Sequence, residues 1–230
     1  GQFIHRLLNS ILEQTYPTVE MFVVNDGSTD DSEEIIQSYI PKFSEKGYSL
    51  QCVNQYNQGQ GAAINNGLKL ITGNYLIWPD SDDFFSTPDT IAKMVKAFND
   101  NTNASIVRCF SSVLDEQSLE KVGEFGGKKF IENRKIDLFE DCLFVKNNFW
   151  FGAGNYMLKT EILDYYYPNR DIYPSNKYGG QNWQLLLPGL YKRECITIKE
   201  HLYNILAREK SHSRIILQNL NSSLLKHNEH

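Results

Sequence analysis

The stretch "VVNDGSTDDS", residues 23–32, joins an apolar run to a dense group of small polar and acidic side chains. Residues 19–24 are typical of a buried strand, and residues 25–27 (Asn-Asp-Gly) follow that strand directly. One interpretation is a turn in which Asp30 caps the next helix. The other is a ligand site at the end of the strand, where open α/β sheets bind their ligands. The sequence alone does not decide whether Asp26 is a structural turn residue or a ligand-binding residue.

Strands and helices alternate at short intervals in the first half of the chain. Apolar residues at helical spacing predict the helices, and short apolar runs between turn residues predict the strands. The predicted helices lie within residues 2–15, after Asp30, over 61–71 and over 88–98, and the predicted strands over 19–24, 49–53, 75–79 and 104–110. The alternation predicts an α/β fold around a largely parallel sheet.

A second acidic motif, "YLIWPDSDDFF", spans residues 75–85 and includes the third predicted strand. Asp80, Asp82 and Asp83 lie within four residues, whereas a helix cap needs only one carboxylate. Carboxylates this close together repel one another at neutral pH. A divalent cation removes the repulsion, because hard cations prefer oxygen ligands. The motif therefore predicts metal-assisted chemistry rather than a turn alone.

Composition and charge argue against several classes of protein. A net charge of −5 and a pI near 5.6 argue against a nucleic-acid partner. No apolar stretch approaches the roughly 20 residues of a membrane span. The absence of a C-x-x-C pair argues against zinc and for free thiols in a reducing compartment, at Cys52, Cys109, Cys142 and Cys195. These features predict a cytoplasmic protein, with peripheral association at the inner face of the membrane left open.

Two blocks of sequence carry a resemblance to a known family. They are "SILEQTYPTVEMFVVNDGSTDDS", residues 10–32, and "NQGQGAAINNGLKLITGNYLIWPDSDD", residues 57–83. Together they resemble the family 2 glycosyltransferases, which have the Rossmann-like GT-A fold. The resemblance implies a nucleotide-sugar-binding half with a mostly parallel central sheet over residues 1–110. It further implies an acceptor-side α+β half of the same domain over 111–217, and a polar tail over 218–230.

The resemblance also implies an activity and a set of site residues. The expected reaction is the inverting transfer of a sugar from a nucleotide-diphosphate donor, usually a UDP-sugar, to a hydroxyl of a glycan or lipid-linked acceptor. A cation, Mn²⁺ or Mg²⁺, would stabilise the diphosphate leaving group. The implied donor-binding residues are Asp26, Gly59, Gly61, Asn65, Asp80 and Arg214, and the implied metal ligands are Asp80, Asp82 and His212. For His212 and Arg214, a solvated basic loop is the alternative interpretation.

The sequence departs from the family at two positions near its start. The family normally places an apolar strand before the first helix, whereas residues 1–3 already lead into that helix. The usual first strand is therefore expected to be absent. Relatives also often carry an arginine where this chain has Ile64, which puts one phosphate contact in doubt.

The catalytic base is a third departure. Family members usually place an acid at the start of a late helix, but the matching stretch here, "YGGQNWQLLLP" (178–188), carries Gln181 and Asn182. An amide can orient a hydroxyl but cannot accept its proton. The catalytic candidates are therefore Asp171, which lies upstream, Asp83, which lies beside the predicted metal ligands, and Asn182 itself.

Two alternatives to a glycosyltransferase remain open at this point. A non-catalytic nucleotide-sugar-binding or scaffold protein of a glycan assembly complex is favoured by Asn182 and opposed by the intact Asp80–Asp82 pair. A nucleotidyltransferase would need a glycine-rich, lysine-containing phosphate loop near the start of the chain, and the sequence shows none.

Overall fold

The computed structural model describes residues 1–127, 138–147, 149–173 and 180–208. The helices are α1 (Ile4–Leu12), α2 (Ser32–Glu45), α3 (Gln60–Leu68), α4 (Thr90–Asp100), α5 (Leu138–Phe144), α6 (Thr160–Tyr166) and α7 (Gln181–Leu190). The strands are β1 (Glu20–Asp26), β2 (Ser49–Gln55), β3 (Tyr75–Leu76), β4 (Phe84–Phe85), β5 (Ala104–Asp115), β6 (Lys121–Phe125), β7 (Tyr156–Lys159) and β8 (Glu194–Ala207). The predicted helices and strands of the first half are all present, with bounds shifted by a few residues.

The strands form two sheets, and the larger one is mixed. β1 and β2 pair in parallel, whereas the larger sheet has the order β3-β7-β5-β8-β4, with β6 also paired to β5. Among the described strands of this sheet, β5 and β8 pair in parallel and the other pairs are antiparallel. The prediction of a mostly parallel central sheet was therefore wrong. The loop between β5 and β6 is one reason, because so short a connection joins only antiparallel strands.

β1 and β3 run toward the same edge of the molecule although they do not pair. The carboxylate of Glu20, at the start of β1, accepts hydrogen bonds from the backbone N–H groups of Thr72 and Gly73, both at 2.6 Å. Thr72 and Gly73 come just before β3, so the two strands start level with each other. The contacts that link Asp26 through Gly59, α3 and α7 to Trp78 place Asp26 and Asp80 at the same edge. Within the described residues β1 pairs with no strand other than β2.

The larger sheet separates two apolar cores, and this positions the late helix α7. Alternate residues of β5 face opposite sides, so that Val107 packs with α1 and α4 while Ile106 packs with α6 and α7. Gly189 brings α7 close to the sheet, because a Cβ there would lie only 2.7 Å from side-chain carbons of Ile106 and Leu158. The end of α7 is thereby held against the sheet, while a hydrogen bond from Trp78 to Asn182 places its start near Asp80.

No helix in the described part of the chain is both long enough and apolar enough to cross a membrane.

Candidate active site

The carboxylate of Asp26 holds the loop between β2 and α3. Its Oδ1 accepts hydrogen bonds from the backbone N–H of Gln58 and the side-chain amide of Gln55, both at 2.8 Å. Its Oδ2 accepts one from the backbone N–H of Gly59 at 2.9 Å. Gly59 has a φ of 88°, which a residue with a side chain adopts only with strain. Asp26 therefore fixes the conformation of this loop from the end of β1.

Asp30 has the structural role that the sequence offered as one interpretation. Its Oδ1 accepts hydrogen bonds from the backbone N–H of Ser32 at 3.1 Å and from the Ser32 hydroxyl at 2.6 Å. Ser32 is the first residue of α2, so Asp30 satisfies a backbone group that has no partner inside the helix. The cap position itself is Asp31, so Asp30 supports the start of α2 from the residue before the cap.

The carboxylates of Asp80, Asp82 and Asp83 have three different environments. Asp80 is accessible to solvent. Asp82 is 18% exposed, and its Oδ2 lies 2.6 Å from Nε of Arg208, which follows β8. Asp83 is buried, and its Oδ1 accepts a hydrogen bond from the backbone N–H of Leu206 at 2.9 Å. The last described strand thus holds the acidic motif in place.

Mutual repulsion and partial loss of water raise the pKa values of two of these groups. Protein atoms around the carboxyl of Asp80, together with the charge of Asp82, raise its pKa to about 6. Burial and the charge of Asp80 raise the pKa of Asp83 to about 8, although the Leu206 hydrogen bond opposes the shift. Arg208 offsets only part of the negative charge. The site would therefore be stabilised by an additional cation.

The starts of α3 and α7 are hydrogen-bonded to each other and to the segment before Asp80. The side-chain amide of Gln181 donates to Oε1 of Gln60 at 2.6 Å. The indole N–H of Trp78 donates to Oδ1 of Asn182 at 2.9 Å. Since Gln60 follows the Gly59 that Asp26 holds, these contacts form a series from Asp26 to Trp78, two residues before Asp80. We call this series the polar rim, and we refer to the surface that it borders, next to Asp80, as the candidate crevice.

Two other predicted site residues lie along α3, away from the aspartates. Asp171 forms an ion pair with Lys69 at 2.8 Å, just past the end of α3 and roughly 13 Å from its start by helical rise. The amide of Asn65 exchanges two hydrogen bonds, both 2.8 Å long, with the peptide groups of Ile172. Both residues therefore fasten the segment after α6 to α3. Gly61 lies in the first turn of α3, at the rim.

His212 and Arg214 lie outside the described residues, and their predicted roles stay predictions. Sequence reasoning missed Gln60 and Trp78, which complete the polar rim. Trp78 carried a usable signal, because a tryptophan beside an acidic motif has an N–H that needs a partner when it is partly buried.

The donor set fits a cation that is shared with a ligand. Within the described ranges, no group of three or more His, Cys, Asp or Glu residues is placed to hold a metal ion. Asp80 and Asp82 nevertheless offer hard oxygen ligands at an accessible position. Cations at phosphate sites are commonly held by one or two carboxylates, with phosphate oxygens and water completing the shell. The aspartates match that pattern.

Solved structures with a similar fold bind nucleotide sugars. Residues 1–349 of TarS from S. aureus, in complex with UDP-GlcNAc, match with a TM-score of 0.69 at 20% identity, over 93% of this chain and 57% of that chain. The mannosyltransferase PcManGT from Pyrobaculum calidifontis, in complex with GDP-Man and Mn²⁺, matches with a TM-score of 0.63 at 17% identity, over 92% and 55%. The fold is accordingly the α/β fold of GT-A glycosyltransferases.

Sequence comparison establishes the family. The model described as "Glycosyl transferase family 2" matches residues 1–168. Glycosyltransferase GlyA of Streptococcus pneumoniae serotype 4 is 44% identical over 82 residues, which are 36% of this chain and 11% of GlyA. The chain belongs to glycosyl transferase family 2. It spans only a small part of GlyA and little more than half of each solved structure.

Proposed function

We propose that this chain transfers a sugar from a nucleotide-diphosphate donor, a UDP-sugar in the first instance, to a hydroxyl of a glycan or lipid-linked acceptor. The polar rim is the observation that carries the proposal, because it gathers Asp26, Gly59 and the segment before Asp80 around one crevice. Inversion at the anomeric carbon follows if the acceptor hydroxyl attacks as the diphosphate leaves from the opposite face.

Each part of the crevice has a role in this proposal. Asp80 and Asp82 would hold Mn²⁺ or Mg²⁺, which neutralises charge on the diphosphate when bound. Arg208 adds a positive charge beside Asp82. Asp26 keeps the loop at Gly59 in the shape that lets its backbone approach the donor. The complexes of TarS with UDP-GlcNAc and of PcManGT with GDP-Man and Mn²⁺ support a nucleotide-sugar donor and a cation of this kind.

A second candidate function is a non-catalytic nucleotide-sugar-binding scaffold of a glycan assembly complex. One observation favours it: α7 begins with Gln181 and Asn182, where an attacking hydroxyl would need a proton acceptor. The ion pair of Asp171 with Lys69, at the far end of α3, supports this second candidate as well.

Donor binding and turnover separate the two functions. The protein would be mixed with UDP-GlcNAc, UDP-glucose, UDP-galactose and GDP-mannose, each with Mn²⁺ or EDTA, while the melting temperature and the release of nucleotide are recorded. A glycosyltransferase should be stabilised by at least one donor only with Mn²⁺, and should release nucleotide slowly by hydrolysis. Binding without any release, also when glycan and lipid-linked acceptors are added, would favour the scaffold. No binding to any donor would contradict both.

A further inference from the structure

We propose that Trp78 orients Asn182 as a hydrogen-bond donor to the sugar of the bound donor substrate, and that Asn182 does not handle the acceptor proton. The inference rests on the proposed function, since it assigns a role within the same crevice. Trp78 is a positioning residue in this proposal, and Asn182 is the residue that touches the sugar.

The chemistry of the indole group decides which way the amide of Asn182 faces. An indole N–H can only donate, so the group that lies 2.9 Å from Nε1 of Trp78 has to be the amide oxygen. The oxygen therefore faces Trp78, and the NH₂ group of Asn182 points elsewhere. Among the described residues, no acceptor is hydrogen-bonded to that NH₂ group. What Asn182 offers to a ligand is a pair of N–H donors.

The neighbouring side chains of α7 are already committed to protein groups, which makes the position of Asn182 rigid. Gln181 is buried and donates to Gln60. The indole of Trp183 donates to the carbonyl of Cys142 at 2.8 Å. The amide of Gln184 exchanges hydrogen bonds with both peptide groups of Tyr173, at 2.7 and 2.9 Å. The first turn of the helix therefore cannot rotate without breaking these contacts.

The location favours the donor sugar as the partner. Trp78 lies two residues before Asp80, in the segment that would carry the cation and hence the diphosphate. The transferred sugar is bonded directly to that diphosphate, so it is the part of the substrate that comes next to Asn182. Hydroxyl and ring oxygens of a sugar accept hydrogen bonds, which an NH₂ group can supply and a carboxylate cannot.

The test compares the affinity for UDP with the affinity for the UDP-sugar that the wild type binds best, both with Mn²⁺, by calorimetry. Asn182→Asp keeps the shape but replaces the donors by an acceptor. We expect unchanged UDP affinity and a loss of about 10- to 100-fold in UDP-sugar affinity at pH 8, since a carboxylate has no hydrogen to donate to a sugar oxygen that the NH₂ group would contact.

Trp78→Phe removes the indole N–H and keeps an aromatic ring, so the side-chain amide of Asn182 can rotate. The UDP-sugar affinity should then fall by about 3- to 10-fold with UDP affinity unchanged. Trp150→Phe is the control: it removes an indole N–H from a buried tryptophan that packs against Phe110 and Arg108 instead of Asn182, and it should leave the ratio of affinities unaltered. Unfolding curves check that each variant folds.

Several outcomes would overturn the inference. The inference would be overturned if the Asn182→Asp variant bound the UDP-sugar as well as the wild type does. It would also be overturned if this variant turned over faster because a proton acceptor is restored. Either result would leave the proposed function standing. A wild type that binds UDP and UDP-sugar equally well would do the same. A wild type that binds no nucleotide at all would overturn the proposed function itself.

Discussion

The Asp26 turn and the Asp80–Asp83 segment both follow strands at the same edge of the fold, yet their carboxylates have opposite surroundings. Both oxygens of Asp26 accept hydrogen bonds from N–H groups of the loop before α3. In the second segment the carboxylates face one another, with Arg208 as a counter-charge for Asp82. A carboxylate surrounded by N–H donors shapes the backbone, whereas a cluster of carboxylates favours a bound cation.

The largest effect should come from the cation ligands. Asp82→Asn should abolish the Mn²⁺-dependent stabilisation by UDP and lower turnover roughly 10³-fold, since a cation on the diphosphate is worth several kcal/mol. The fold should be retained, because Asp82 is partly exposed. Asp100→Asn is a control outside the crevice, as Asp100 pairs only with Lys96 on the surface in the described structure. If Asp82→Asn still bound UDP in a Mn²⁺-dependent way, the Asp80–Asp83 segment would not be the cation site, and it would no longer differ in role from the Asp26 turn.

The next effect concerns Asp26 and should combine lost binding with lost stability. Asp26→Ala leaves the N–H groups of Gln58 and Gly59 without their partner, so the loop should loosen and donor affinity should fall by about 1.5–3 kcal/mol. Titration calorimetry with UDP and Mn²⁺ measures the loss. Asp30→Ala should lower the melting temperature slightly and leave UDP affinity unchanged. If Asp26→Ala bound UDP normally, the turn would be structural alone.

The third effect is a pH dependence of stability that arises from Asp83. Its pKa in the folded state is about 8, against 3.8 for an ordinary carboxyl, so the folded state binds more protons between these values. Stability should therefore fall as the pH rises from about 4 to 8, in the absence of a divalent cation. Asp83→Asn should melt a few degrees above the wild type at pH 8 and close to it at pH 4. Equal melting curves of Asp83→Asn and the wild type at pH 8 would contradict the idea that the buried, ionised carboxylate of Asp83 destabilises the folded state.

The smallest effect is expected for Asp171, which the sequence offered as a catalytic base. Its carboxylate pairs with Lys69 at the far end of α3, so Asp171→Asn should change turnover less than about twofold. Lys69→Gln breaks the same ion pair and should behave alike. A loss of turnover of roughly 10²-fold or more in Asp171→Asn alone would return the role of base to Asp171.

Local patterns predicted the parts of the fold that depend on local forces. The apolar spacing of residues 4–11 predicted α1, whose inward side chains are buried, and the short apolar run before the acidic motif predicted β3. Strand direction could not be predicted in this way. β7 pairs antiparallel with both β3 and β5, and this pairing depends on contacts between segments that are far apart in the sequence. The hydrogen bond between Trp78 and Asn182 joins residues 104 positions apart, and no local spacing signals it.

The hydrogen bond between Leu206 and Asp83 has a consequence for the order in which the molecule can assemble. β4, which follows Asp83 directly, pairs with β8, and β8 ends at Ala207. A growing chain that has reached residue 168 already contains every aspartate of the acidic motif but not the strand that fixes it. Contacts between residues so far apart in the chain form late and slow folding. Newly made chains should therefore gain the ability to bind a cation and a nucleotide only in the last step of folding.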